Sequence, residues 1–320
     1  MREMVVVEGH LETIAELNEI IRRGDFPRQV MKDECRHVER IVRIAERIAA
    51  RVPQVRLVLV AGPSSAGKTT TAIRLCTRLK ENGLESLRLS TDDYFVGDKR
   101  SPLDEQGRPD WETVEAVDHV RLVADLQRLV AGEAVKLRRF DFAAHEGFDA
   151  DEPTTLPPGG LVVLEGIHAL NPLLTEGIPD EVKFRVYLNI FTSLRADATD
   201  VFFADDERLL RRIVRDCAHR GTPPAETLAR WPSVERGEEK WINPFRRLAD
   251  AVFNTGLDYE LAILKTHALV LLRGVDADSP HAREAQRLAD VLASVAEAPS
   301  EGVPGNSILR ETIGGSSLEY

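Results

Sequence analysis

Residues 62–69 constrain the fold of this chain more than any other stretch. They read GPSSAGKT and match the phosphate-binding pattern G-x-x-x-x-G-K-[ST] at every position. A short apolar run precedes them at residues 56–61, and residues 70–80 repeat apolar side chains at helical spacing. Strand, loop and helix therefore follow in the order that a phosphate-binding loop requires. The sequence predicts an α/β fold in which this segment, hereafter the glycine loop, joins a parallel strand to a helix.

The residue types in the glycine loop suit an anion. Its glycines let the backbone wrap closely, so that successive N–H groups and the helix N-terminus present partial positive charge. Lys68 adds a point charge for the outer phosphates, and the Thr69 hydroxyl is placed to ligate Mg²⁺. The alternative is a chance Gly/Ser turn that caps a helix, which the flanking strand and helix disfavour.

Composition narrows the class of partner. The 320 residues carry 42 Lys and Arg against 53 Asp and Glu, a net charge of −11, which argues against nucleic acid unless a local basic patch overrides it. Cys35, Cys76 and Cys217 are far apart, which favours a reducing compartment and disfavours a zinc site. We expect neither a signal peptide nor a membrane span, because the longest apolar segments are only as long as a strand. We expect a cytoplasmic protein with a small-molecule substrate and no membrane partner, while a homo-oligomer stays open.

Acidic residues follow two strands that are predicted to end at the ligand-binding edge of the sheet. Asp92 and Asp93 follow the strand at residues 87–90, where a carboxylate could accept the proton of an attacking hydroxyl or hold the metal. Glu165 follows the apolar strand at residues 161–164, where a metal-binding carboxylate would sit. The alternatives are a solvated turn for the aspartates and a water-facing acid for Glu165.

Four arginines fall at i, i+3, i+4 and i+7 and so share one face of a predicted helix: Arg208, Arg211, Arg212 and Arg215. Like charges at i, i+4 weaken an isolated helix, and a polyanion such as a triphosphate under a closing lid would offset that repulsion. Glu207 and Asp216 could instead neutralise part of the stripe. Elsewhere, helices are predicted before residue 54, from near Trp111 and at 284–296. Strands are predicted at 135–145, 184–188, 249–254 and 268–272. A loop is predicted at 231–241 and an irregular tail at 303–320.

The motifs together resemble the uridine kinase and phosphoribulokinase family of P-loop kinases. The resemblance covers residues 56–256 and rests on five marks in order: residues 62–69, 90–95, 140–142 with His145, 164–167 and 208–221. Residues 231–234, 307–311 and 313–317 resemble a bacterial uridine kinase-like subgroup, although the N-terminal region is too short for that subgroup's synthetase-like part. The resemblance implies a P-loop NTPase-type parallel sheet flanked by helices, with an arginine-rich lid helix and a helical N-terminal extension. The implied parts are the extension at 1–54, the kinase domain at 55–275 with its lid at about 205–245, and a C-terminal helix and tail at 276–320.

The resemblance also implies roles for individual residues. ATP would be bound by Gly62, Ser64, Ser65, Ala66, Gly67, Lys68, Thr69 and Thr70. Mg²⁺ would be held through Thr69, Glu165 and Asp92. The catalytic residues would be Asp92, Lys68, Arg212 and Arg215. The substrate would contact Asp92, Glu112, Phe140, His145, Arg212 and Arg220.

The acceptor pocket departs from the pattern of true uridine kinases, although His145 is kept. Glu112 stands where aspartate is usual, Phe140 where tyrosine is usual, Asp93 where serine is usual, Thr222 where arginine is usual and Arg230 where glutamine is usual. Lost polar contacts change what a site accepts, so ATP-dependent phosphoryl transfer is better supported than uridine as acceptor. The alternatives are a kinase of a non-nucleoside sugar or polyol, and a nucleotide-binding regulatory protein with little catalysis.

Overall fold

The computed structural model describes residues 10–142, 144–195 and 204–320. The helices are α1 (Ile14–Arg22), α2 (Phe26–Ala49), α3 (Lys68–Glu81), α4 (His119–Val130), α5 (Ala204–Arg220), α6 (Pro224–Gly237), α7 (Glu260–Arg273), α8 (Ala282–Ser294) and α9 (Arg310–Ile313). The strands are β1 (Leu57–Ala61), β2 (Ser86–Ser90), β3 (Arg138–Asp141), β4 (Glu146–Asp149), β5 (Leu161–Glu165), β6 (Lys183–Asn189) and β7 (Ala251–Asn254). Within these residues, no helix combines the length and apolar character needed to cross a membrane.

The main sheet confirms the predicted fold class. In the described part of the chain it has five strands in the order β2-β5-β1-β6-β7, and each neighbouring pair is parallel. From β1 the chain fills one side of the sheet with β2 and β5 and then crosses to the other side with β6 and β7. The glycine loop leaves the carboxyl end of β1 at this change of direction, which is where open α/β sheets bind ligands.

Helices cover both faces of the sheet, which explains the continuous apolar strands. Every residue of β1 and β5 is buried. Helices α2 and α3 pack on one face through side chains such as Ile44 and Leu75. Helix α4 and the segment around Val117 cover the other face. A strand buried on both faces has no polar side to alternate, so its sequence is uniformly apolar.

A third apolar core lies beside the sheet and consists of helices. It combines α1 and the start of α2 with α5, α6, α7, α8 and residues 308–309. Leu17, Leu210 and Leu288 are all fully buried there. This core therefore holds the arginine-bearing helix α5 against segments from both ends of the sequence. The division into parts at 1–54, 55–275 and 276–320 stays a prediction.

Three local predictions are wrong, and a fourth is only partly right. Residues 268–272 lie inside helix α7, because a short apolar run suits a buried helix as well as a strand. Residues 231–237 belong to helix α6, which accommodates Pro232 and continues as a π-turn to Ile242. The strand predicted at 135–145 is shorter, since only Arg138–Asp141 form β3, which pairs with the exposed strand β4 that follows at Glu146–Asp149. Helix α4 begins at His119 rather than near Trp111. Asp118 caps it, because its side chain accepts a hydrogen bond from the Arg121 N–H at 3.2 Å.

Candidate active site

The glycine loop has a conformation that requires glycine at two of its positions. Gly67 is the N-cap of α3 with a left-handed backbone, φ 76°, and a Cβ there would overlap the Cδ1 atom of Ile308. A Cβ on Gly62 would overlap the carbonyl oxygen of Leu188 on β6. Ser65 also has a positive φ, 59°. The loop is therefore folded tightly between β1, β6 and α3, with its backbone free to face an anion.

Two arginines of α5 support the loop from behind. Arg208 donates from Nη1 to the Ser64 carbonyl oxygen at 3.1 Å, and it is held by Glu238 through two hydrogen bonds of 2.6 and 2.7 Å. Its side chain is 1% exposed and Glu238 is 8% exposed. Buried ion pairs with two parallel bonds hold a guanidinium in one orientation. Arg208 therefore fixes the outer backbone of the glycine loop.

Arg211 makes the same kind of contact one turn later. It donates to the Ser65 carbonyl oxygen at 3.4 Å and to the Thr255 carbonyl oxygen at 2.8 Å, and its Nε donates to Glu260 at 3.0 Å. The prediction that one polyanion faces the whole arginine stripe is therefore wrong. Glu238 in the π-turn and Glu260 in α7 neutralise Arg208 and Arg211, because α5 lies between these elements and the glycine loop.

The other arginines of α5 face a cleft of about 330 Å³ in front of the glycine loop. Thirteen of the residues proposed for the site line this one cleft. The lining includes Ser64, Ser65, Gly67, Lys68, Thr69, Asp92, Glu112, Phe140, His145, Glu165, Arg212, Arg215 and Arg220. Gly62, Ala66 and Thr70 are buried beneath it. The structure thus brings the predicted residues to one place, and their individual roles stay predictions.

Lys68 lies among carboxylates at the centre of the cleft. Its Nζ donates to the Pro63 carbonyl oxygen at 2.9 Å. Burial lowers the pKa of Lys68, while the charges of Glu165, Asp92 and Glu311 act to raise it. Burial raises the pKa of Asp92 against the opposing charge of Lys68, and burial with the nearby Asp92 raises the pKa of Glu165 to about 7. The single charge of Lys68 is thus opposed by three nearby carboxyl groups, so this region favours the binding of a further cation.

The oxygen atoms beside Lys68 fit Mg²⁺ bound with phosphates. The Thr69 hydroxyl donates to Glu165 Oε1 at 3.2 Å, and the half-buried Asp92 side chain lines the same cleft. In the described ranges, no group of three or more His, Cys, Asp or Glu side chains could hold a metal by itself. Mg²⁺ commonly takes one or two carboxylates and completes its shell with substrate phosphates and water. Thr69, Glu165 and Asp92 suit that mode.

Three arginines gather around one acid at the opposite wall. Arg215 and Arg212 contact Asp216 at 2.9 and 3.3 Å, and Arg220 lies 3.5 Å from it. The Arg215 charge is the largest cause that lowers the pKa of Arg220. Arg212 also donates to Ser64 Oγ at 3.0 Å, which ties this wall to the glycine loop. Three guanidinium groups share Asp216, and Glu112 lies 3.6 Å from Arg212, so the group keeps an excess positive charge that a phosphoryl group would neutralise.

The far end of the cleft is aromatic. Trp111 packs edge-on against Phe95 and Phe140, with ring centroids 4.9 and 6.1 Å apart. Phe142 adds a half-exposed ring 5.2 Å from Phe140, and His145 lies 6.2 Å from Trp111. Such a cluster offers flat apolar surfaces to a ring-shaped ligand.

Two polar contacts border this aromatic end. The Nδ1 atom of His145 lies 3.2 Å from Asp98 on the surface loop. Glu112 lies 3.6 Å from Arg212, and burial raises the pKa of Glu112. Asp93 instead pairs with Arg139 on β3 at 3.1 Å. Of the two adjacent aspartates, Asp92 therefore faces the cleft and Asp93 holds the β3–β4 hairpin.

The sequence motifs assign no site role to several residues that line the cleft: Phe95, Trp111, Phe142, Ile167 and Glu311. The aromatic spacing in residues 95–111 carries no periodic signal, because these residues belong to an irregular segment. Glu311 lies in a tail more than two hundred residues away from the glycine loop, and only the fold brings the two together.

Below the cleft, a buried histidine is expected to make folding sensitive to acid. His168 is 1% exposed, and burial lowers its pKa to about 4. Below pH 6.5 the unfolded chain therefore takes up a proton that the folded chain does not accept until about pH 4. Between pH 8 and pH 5 this group should remove about 2 kcal/mol of unfolding free energy. Urea unfolding of the wild type and His168→Asn at both pH values checks this, and an equal pH dependence of the two proteins would contradict it.

A family model and several known proteins are similar to this chain. A sequence model described as the Phosphoribulokinase / Uridine kinase family matches residues 57–262. A uridine kinase from Deinococcus deserti is 27% identical over 198 residues, which cover 62% of this chain and 86% of the relative. One from Staphylococcus aureus strain Newman is 27% identical over 205 residues, 64% and 89% of the two chains. A solved structure described as a possible uridine kinase from Bacillus stearothermophilus has 22% identity and a TM-score of 0.45, and covers 67% of this chain and 97% of that one.

Proposed function

The chain belongs to the phosphoribulokinase and uridine kinase family, and on that premise we propose that it transfers the γ-phosphoryl group of ATP to a hydroxyl group of a small molecule, a nucleoside in the first instance. One observation carries the proposal. One cleft is lined by the glycine loop, by the aromatic residues Trp111 and Phe140, and by the half-buried Asp92. A hydroxyl acceptor at the aromatic residues and a phosphate chain on the loop would meet at Asp92.

The residues divide the reaction between them. The glycine loop and Lys68 would hold and neutralise the terminal phosphates, and Asp92 would accept the proton of the attacking hydroxyl. Arg212 and Arg215 would contact the transferred group as its charge spreads over the equatorial oxygens. Mg²⁺ held by Thr69, Glu165 and Asp92 would offset phosphate charge when bound.

The acceptor pocket favours a molecule with a flat ring and hydroxyl groups. Trp111, Phe95 and Phe140 supply the ring-binding surface, and Glu112 supplies a carboxylate that can accept hydrogen bonds from two neighbouring hydroxyls. A nucleoside satisfies both requirements with a planar base and ribose hydroxyls, whereas an open-chain polyol has no ring to place against the aromatic residues. The glutamate and the phenylalanine at positions 112 and 140 support an acceptor other than uridine itself.

A panel of acceptors tests the proposal. The purified protein is incubated with Mg-ATP and with nucleosides, sugars or polyols, and ADP release is followed. We expect release to rise strongly with at least one nucleoside and to return to the acceptor-free rate in Asp92→Asn. A release rate that no acceptor changes would instead support the nucleotide-binding regulatory protein, because a switch needs no acceptor-side base.

Replacing the acid of the acceptor pocket should affect the acceptor more than ATP. In Glu112→Gln the side chain keeps its size but loses its charge, and its hydrogen bonds to acceptor hydroxyls weaken. We expect KM for the acceptor to rise about tenfold or more, with KM for ATP within about twofold of the wild type. The exposed Glu115→Gln, with the same charge change three residues away, is the matched control. An equal rise in both KM values would show that Glu112 supports the loop rather than the acceptor.

A further inference from the structure

Residues 307–320, hereafter the tail segment, pack against the glycine loop although they lie outside the region that the family model matches. Leu309 is fully buried in the helical core, and Ile308 fills the space above Gly67. Arg310 donates hydrogen bonds to three backbone carbonyl groups, those of Ser300, Val303 and Gly314. The backbone of the tail segment is therefore held firmly in place next to the start of α3.

A row of hydroxyl groups connects this segment to the buried Thr70. The Thr70 hydroxyl donates to Glu311 Oε2 at 2.7 Å and lies 3.0 Å from the Tyr320 hydroxyl. Ser316 Oγ donates to the Tyr320 hydroxyl at 3.3 Å. Because a hydroxyl carries one proton, Thr70 can donate to Glu311 only if Tyr320 donates to Thr70. The order of donation is therefore Ser316 to Tyr320, Tyr320 to Thr70, and Thr70 to Glu311.

Glu311 thus presents a carboxylate where an anion is expected. It lines the same cleft as Lys68 and Thr69, and its charge contributes to the pKa of Lys68. Phosphate oxygens, like carboxylate oxygens, only accept hydrogen bonds from a hydroxyl, so they cannot share the single proton of Thr70 with Glu311. A negative side chain is also favourable at the N-terminus of α3 as long as no phosphate is there.

We propose that Glu311 is a positioning residue of the nucleotide site, which accepts the Thr70 proton in the free protein and releases it when a polyphosphate binds. The inference rests on the proposed function, since it takes a nucleotide as the ligand of the glycine loop. Because the backbone on either side is anchored, the Glu311 side chain moves and the tail segment stays. Glu311 then sets the affinity for the phosphate chain through Thr70.

Calorimetric titration of Mg-ATP into the wild type, Glu311→Gln, Thr70→Val and the double variant tests this. We expect Glu311→Gln to bind about tenfold more tightly, because a like charge is removed and the Thr70 hydroxyl is released more easily. KM for ATP should fall while kcat changes little. In the Thr70→Val background the gain should shrink. Glu301→Gln, an exposed residue with the same charge change, should bind like the wild type.

Other results would overturn the inference. Unchanged or weaker binding by Glu311→Gln would show that Glu311 supports the site without competing. If Glu311→Gln increased the affinity equally in the Thr70→Val background, Glu311 would act by its charge alone. Inorganic tripolyphosphate is titrated in parallel, so that the same order of affinities supports the Glu311 assignment even if Mg-ATP does not bind. Failure of the proposed function and failure of this inference are then distinguishable, and thermal unfolding of each variant confirms that it is folded.

Discussion

Asp92→Asn is expected to lower kcat about a thousandfold while leaving the affinity for Mg-ATP within a few fold of the wild type. The amide has nearly the shape of the carboxyl but cannot take a proton from an attacking hydroxyl. The Asp92 N–H is fixed by Ser90 Oγ at 3.2 Å, so the side chain should keep its place. Single-turnover kinetics at saturating acceptor separate the chemical step from binding.

Asp93→Asn is the matched control for that experiment. It makes the same change at the next residue, but Asp93 pairs with Arg139 rather than facing the glycine loop. We expect its kcat to stay within about threefold of the wild type, since an exposed ion pair contributes little. If the two variants lost activity equally, or if Asp92→Asn kept its full rate, Asp92 would not be the base.

Arg208→Met should cause a much larger loss of folding stability than replacement of a cleft-facing arginine of α5. The substitution leaves the Glu238 carboxylate buried without its two hydrogen bonds and removes the support of the Ser64 carbonyl group. Breaking a buried ion pair by removing one partner costs about 3–5 kcal/mol. Replacing both residues in Arg208→Met/Glu238→Leu should recover part of this loss, because no buried charge remains. Chemical denaturation measures both effects.

Arg212→Met supplies the comparison on the same helix. Arg212 faces the cleft and is bonded to Ser64 Oγ and Asp216, so its removal should change the unfolding free energy by about 1 kcal/mol or less. The kcat of Arg212→Met should nevertheless fall. Arg208→Met, measured at a low temperature at which it is folded, should mainly lose affinity for nucleotide. Equal destabilisation by the two variants would contradict the division of the arginine stripe into a supporting and a cleft-facing half.

That division shows why the fold can be predicted from the sequence more completely than the site can. The glycine loop, the apolar runs of β1 and β5, and the acids at the carboxyl ends of β2 and β5 are local signals, and the structure brings them to one edge. The stripe on α5 was also visible, but its partners Glu238 and Glu260 follow it by 30 and 49 residues. Spacing along a helix shows which face residues share, not which distant element meets that face.

The tail segment illustrates the same limit. Residues 307–320 contain glycines and serines and little periodicity, so an irregular tail was a sound expectation. Most of the segment is indeed irregular apart from the single turn α9. Its importance for the site comes from Ile308 above Gly67 and Glu311 beside Thr70, contacts between residues 241 positions apart. No local pattern encodes contacts of that range. The helix at 268–272 was missed for a simpler reason, because five apolar residues do not distinguish a helix from a strand.

The central claim is that the glycine loop holds the terminal phosphates of a nucleotide. Calorimetric titration of the wild type and Lys68→Met with Mg-ATP and with AMP tests it most directly. We expect the wild type to bind Mg-ATP far more tightly than AMP, and Lys68→Met to weaken Mg-ATP binding about a hundredfold while leaving AMP nearly unchanged. Equal affinity of the wild type for the two nucleotides, or no effect of the lysine on Mg-ATP, would contradict the account.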